Sequence, residues 1–174
     1  MIYNNPIAYR VDVTPEVLRT LADVPRIVYV KEETGDICRI TDMSIALGSR
    51  FGIFFDADDL IVESIALGAA GLVSGMTNAW PRECVELFTL CVEWRLEAAR
   101  ELCRILTPSL RLDTHVKLVR YINFVEHLVY GSPERTRAPR LPLIDNEREH
   151  VTKTVLEAAV APRAREKRRA RSGS

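Results

Sequence analysis

No Cys-x-x-Cys pair occurs among the four cysteines Cys38, Cys84, Cys91 and Cys103. Zinc ribbons and dithiol redox motifs are therefore not expected, and the thiols read as buried and reduced in a cytoplasmic protein. No apolar run approaches the ~18 residues of a membrane span. Met1 leads directly into Ile2-Tyr3-Asn4-Asn5-Pro6, with neither the basic nor the apolar region of a secretory leader. A Gly-rich phosphate loop and an internal repeat are both missing. Aromatic residues make up only 7% of the 174-residue chain, and none interleaves the basic C-terminal end. That end has no platform for base stacking, so nucleic-acid binding is not expected of it.

What remains is ordinary globular material. Hydrophobic residues make up 47%, enough for a core in one domain-sized chain. The net charge of +0 hides an asymmetry. Residues 162–174 hold six basic residues and one acid, which leaves the body near −5. This tail has almost no apolar content and is expected to be disordered.

Short apolar runs alternate with helical spacing. Tyr3-Asn4-Asn5-Pro6 is a turn signal, and Thr14-Pro15 an N-cap with proline in the first turn. Strands are predicted over 26–32, 51–55 and 71–74. Helices are predicted from Thr14 to about Asp23 and over 36–47, 58–67, 81–106 (as two), 114–130 and 145–159. Gly48 and Gly68 end two of them, and Asp113 or Thr114 caps the sixth. Nearly all-apolar strands between helices indicate a parallel sheet, and strands of about five residues suit a barrel.

Alternate strand residues share a face, so Lys31 lies with Tyr29 and Ile27. A lysine at the C-terminal end of a barrel strand stands where such folds build active sites. Burial lowers an amine's pKa, and a neutral amine attacks a ketone. A lysine that merely ends a strand in solvent is the alternative reading. Asp58 and Asp59 read as helix-start acids, and His115 as a packing residue.

Several motifs fall in register: Tyr3-Asn4-Asn5-Pro6, Val30-Lys31-Glu32, Gly35-Asp36, Asp58-Asp59-Leu60, Gly71 to Gly75 with Asn78 and Pro81, Leu112 to Lys117, and Arg137 to Pro142. In order and spacing they resemble the dihydrodipicolinate synthase/N-acetylneuraminate lyase family. The resemblance covers nearly the whole chain except the tail. It implies an α/β fold, the C-terminal half of a (β/α)8 barrel over 1–80, followed by C-terminal helices over 81–161. It implies a Schiff-base lyase or aldolase acting on pyruvate or a related 2-oxo acid, with no cofactor and no metal. Lys31 would form the imine, Tyr3 would shuttle protons, and the backbone carbonyl of Val73 would line the pyruvate site. A deaminase acting on 1-pyrroline-4-hydroxy-2-carboxylate is one alternative, and a non-catalytic remnant or interaction protein another. The expected partners are a 2-oxo acid and either a second copy or a complementing half-barrel.

The chain departs from the family pattern in five places. The βα units that precede the Tyr-Asn motif are absent, which suggests truncation. Ala8 stands where the synthase proper has an arginine, with Arg10 two residues on. Tyr29 replaces a small inward residue and is expected to overpack the barrel. Glu33 replaces a small residue, and Asp56 a glycine. A new carboxylate near Lys31 would favour its charged form and oppose imine formation.

Overall fold

The computed structural model describes the backbone of residues 1–172, with side chains through Ala159. Four short parallel strands form one sheet in chain order: β1 (Ile2–Asn4), β2 (Tyr29–Glu32), β3 (Gly52–Phe55) and β4 (Gly71–Leu72). Tyr3 pairs with Lys31, Lys31 with Phe54, and Phe54 with Gly71. Between the strands run α1 (Pro6–Tyr9), α2 (Pro15–Thr20), α3 (Cys38–Leu47) and α4 (Ile61–Ala66). The chain then becomes helical: α5 (Pro81–Val92), α6 (Leu96–Leu110), α7 (Leu118–Tyr130) and α8 (Asp145–Ser172). Among the described residues no helix is long and apolar enough to cross a membrane.

The period-2 pattern of β2 sorts its residues between two environments. Val30 and Glu32 are fully buried, while Tyr29 and Lys31 face the opposite side. Val30 joins Ile53 and Phe55 of β3 against Leu18 of α2 and Ile40 and Met43 of α3. A second apolar cluster holds α5 to α8 together through Leu87, Leu102, Leu106, Phe124, Val125 and Val151. It also takes in Ile61 and Met76, which tie the helices back to the strand region. Thr14 caps α2 by accepting from Val17 N, and Gly131 ends α7 at φ +72°, a left-handed position that glycine adopts without strain.

A buried carboxylate in this core needs donors. Glu32 receives one from Asn4 Nδ2 at 2.9 Å and another from Thr34 N at 2.8 Å. Asn4, also fully buried, accepts from Val13 N at 2.8 Å, so one amide links β1, β2 and the approach to α2. Asn4→Ala leaves Glu32 short of a donor and should cost ~1–3 kcal/mol in urea unfolding. An unchanged unfolding midpoint would show that the network carries no stability.

Several boundaries differ from the sequence reading. Ile2–Asn4 is a strand because β2 supplies a parallel partner, and the expected turn follows at Asn5-Pro6. Arg26 to Val28 stay outside β2, where the Arg50 guanidinium binds the carbonyls of Ala22, Val24 and Ile27. Residues 58–60 form a 3₁₀ turn before α4, since the Asp58 carboxylate turns inward to accept from Met76 N. Helix α7 begins at Leu118, with neither Asp113 nor Thr114 as its cap, because Asp113 is turned toward Asp58. Cys38 is exposed, which corrects the expectation of four buried thiols, while Cys84 and Cys91 are buried and Cys103 partly so. Helix α8 extends past the predicted end at Ala159. The basic tail expected to be disordered, 162–174, continues this helix through Ser172, which corrects that expectation, and residues 173–174 lie outside the described residues.

Candidate functional site

The C-terminal ends of β1, β2 and β3 bring four polar side chains together. Register places Tyr3 beside Lys31, and Lys31 beside Phe54. Asp56 lies two residues beyond Phe54 and therefore returns to the face of Lys31. Lys31 Nζ pairs directly with Asp56 Oδ2 and stands 3.3 Å from Glu33 Oε2. It also lies over the Tyr3 ring, 3.7 Å from the centroid. The Tyr3 hydroxyl donates to Glu33 Oε2 and accepts from Asn5 Nδ2 at 3.0 Å.

These contacts set the charge states. Burial alone lowers the Lys31 pKa, but the hydrogen bond and charge of Asp56, with the charge of Glu33, outweigh it. Lys31 is thus held above the ordinary lysine range, as an ammonium. Asp56 is raised first by burial and then by its contact with Glu33, while the Lys31 ammonium pulls it down. Burial also raises Glu33, yet its contacts with Asp56, Tyr3 and Lys31 bring it below the ordinary range. The cluster thus sets one ammonium against two acids that also touch each other. Burial and the Glu33 carboxylate raise Tyr3, against the Asn5 amide.

Val73 follows β4 and continues the ladder by donating its N–H to Phe55 O at 3.2 Å. Its neighbours contact a second acidic group: Asp58 meets Ser74, and Asp113 meets the Gly75 backbone. One carboxylate oxygen from each of Asp56, Asp58 and Asp113 lies within 4.8 Å of the others. Sequence reading missed Asp58 and Asp113 as site residues because both look like helix-start acids. The only signal was their number. His115 does pack, at 4.9 Å from the Tyr121 ring centroid, and its Nδ1 accepts from Lys117 N.

The expected overpacking by Tyr29 does not occur. Its ring lies over Gly52, where an added Cβ would come within 2.6 Å, and meets Phe54 edge-on at 5.4 Å. The side chain remains 44% exposed. Tyr3, Tyr29 and Phe54 thus form a partly open aromatic face beside the lysine, opposite the core of α2 and α3. Arg10, at φ 60°, closes α1 by donating its N–H to Pro6 O, and Ala8 donates its N–H to Asn5 Oδ1.

Residues 1–158 match the Dihydrodipicolinate synthetase family. A 4-hydroxy-tetrahydrodipicolinate synthase of Archaeoglobus fulgidus is 30% identical over 156 residues, 88% of this chain and 52% of that protein. The structure of 4-hydroxy-tetrahydrodipicolinate synthase from Methylacidiphilum fumariolicum SolV superimposes with a TM-score of 0.85 at 26% identity, covering 91% of this chain and 53% of the other. YagE, a prophage protein of the dihydrodipicolinic acid synthase family from E. coli K12 solved in complex with pyruvate, shares the fold with a TM-score of 0.81. It is 20% identical, with coverage of 90% and 55%. The chain spans about half the length of these relatives.

Proposed function

The chain belongs to the dihydrodipicolinate synthetase family, and from that premise we propose that it supplies the lysine-bearing part of a Schiff-base lyase site for pyruvate or a related 2-oxo acid. The single observation that carries this reading is the position of Lys31, at the end of a parallel strand and in register with Tyr3. Lys31 Nζ, once deprotonated, attacks the ketone carbon of the 2-oxo acid. The carbinolamine then loses water and leaves an imine, which withdraws electrons from the adjacent carbon so that a C–C bond there can form or break. The Tyr3 hydroxyl moves protons between the reacting oxygen and Glu33, with which it already shares a hydrogen bond. The Val73 carbonyl lines the 2-oxo acid site.

The half-barrel reading draws support from the aromatic face of Tyr3, Tyr29 and Phe54. A second copy, or a chain carrying the preceding βα units, would cover that face and complete the pocket. The Asp56–Lys31 contact sets the cost of entering the reaction, since the ammonium must lose its proton before it attacks.

Borohydride reduction in the presence of pyruvate, read by intact mass and peptide mapping, tests the reading. The expected product is one reduced adduct on Lys31, absent from Lys31→Ala. A folded sample that gives no adduct, or adducts spread over surface lysines, overturns it in favour of a non-catalytic interaction protein.

A further inference from the structure

We infer that Asp56, Asp58 and Asp113 form a binding site for one calcium-sized divalent cation at the C-terminal end of β3. The site shares Asp56 with the Lys31 cluster, but ion binding does not require imine formation. Three oxygens, one from each side chain, lie within 4.8 Å of one another. Carboxylate oxygens this close can be drawn onto one calcium ion at ~2.4 Å by small side-chain rotations. Magnesium demands a strict octahedron at ~2.1 Å and gives up its water reluctantly, so three carboxylates from separate segments suit calcium better. The donors are all carboxylate oxygens, which favour a hard cation over zinc or copper.

A cluster of acids is common on protein surfaces, and here a second observation singles this one out. Asp58 is 1% exposed, and its Oδ1 is buried without a hydrogen-bond partner. Its other oxygen is already occupied, accepting from Met76 N at 2.8 Å. A buried carboxylate oxygen without a donor is uncommon and costly, and it marks the place of a missing positive charge or proton. The Asp113 carboxylate and the Ser74 side chain both contact Asp58, and neither gives Oδ1 a hydrogen bond. No salt bridge among the described residues reaches Asp58 or Asp113. Two basic groups nearby already have carboxylate partners: Arg111 holds Asp59 at 3.2 Å, and Lys31 holds Asp56. The backbone is fitted to the acid as well, because a Cβ on Gly75 would come within 2.6 Å of Asp113 Oδ1. The three ligands come from the end of β3, the turn before α4 and the segment after α6, so the ion would tie the sheet to the helical cluster.

Calorimetric titration of the full chain with calcium chloride at pH 8, after chelator treatment, tests the site. One saturable calcium per chain is expected, with magnesium binding more weakly. Asp113→Asn should weaken calcium binding by roughly tenfold or more, since it removes one ligand charge. Lys31→Ala should tighten it, because the ammonium competes for Asp56. Asp58 is buried, so Asp113→Asn, whose side chain is only partly buried, decides the matter should Asp58→Asn fail to fold. No saturable binding, or equal binding by wild type and Asp113→Asn, overturns the proposal. In that case a proton shared between Asp58 and Asp113 fills the gap.

Discussion

Asp56→Ala is expected to raise the rate of reductive alkylation at Lys31 roughly tenfold or more at pH 7.5. The neutral amine is the only form that attacks a carbonyl. Asp56 lies in direct contact with Lys31 Nζ, while Glu33 is at 3.3 Å. Burial favours the neutral amine, and these two acids reverse that preference. Removing Asp56 leaves burial opposed by Glu33 alone. Every unit by which the lysine pKa falls multiplies the neutral fraction near pH 7 by about ten. The double variant Asp56→Ala/Glu33→Ala should therefore react fastest, by more than either single change predicts, because both acids contact the same amine and each compensates for loss of the other. Reductive methylation with formaldehyde across pH, followed by peptide mapping, measures the amine without requiring a finished substrate pocket. Rates that stay at the wild-type value in both variants would show that the acids do not control Lys31. Pyruvate trapping on the same variants separates the two steps. A faster methylation with no pyruvate adduct locates the deficit in substrate binding and leaves the lysine chemistry intact.

The parallel sheet was legible because its strands are short, apolar and bounded by glycine, and because Val30, Ile53 and Phe55 repeat on one face. The order of helices after Pro81 followed from spacing alone. The ends of elements were less legible, since tertiary contacts decide them. Arg50 keeps 26–28 out of β2 by binding carbonyls that lie distant in sequence. Asp58 breaks the start of a predicted helix to reach Met76. In the candidate site, the neighbours of Lys31 could be anticipated from strand alternation and from the departures at Glu33 and Asp56. Asp113 could not, because it is 57 positions from Asp56 and enters from the segment after α6. Nothing in its local sequence separates it from a helix cap. Tyr29 illustrates the opposite error. Its size suggested a clash, but Gly52 on the neighbouring strand leaves the room it needs.

Asp58→Asn, the second large effect, should stabilise the chain by ~1–3 kcal/mol at pH 8.5 in the presence of a chelator, with the gain fading toward pH 5. Burial, followed by the charge of Asp113, lifts Asp58 from the ordinary aspartate value of 3.8 to about 8, while the Met76 amide pulls the other way. The folded chain therefore holds a proton that the unfolded chain has already released. Its contribution is complete below about pH 3.8 and is lost as the pH rises through about 8. Asparagine carries no charge at any of these values. Its carbonyl can still accept from Met76 N, and its amide can donate toward Asp113, so both polar ends find partners. Urea unfolding at several pH values, followed by Trp80 and Trp94 fluorescence, measures the difference. A gap between the two proteins that does not vary with pH would sink the account, because only the titration of Asp58 makes it vary. Calcium should then invert the order. An ion that binds the folded aspartate site stabilises wild type by mass action and leaves the asparagine variant nearly unmoved. The same substitution is thus stabilising without the ion and relatively destabilising with it, a reversal that neither better packing nor a general loss of negative charge produces.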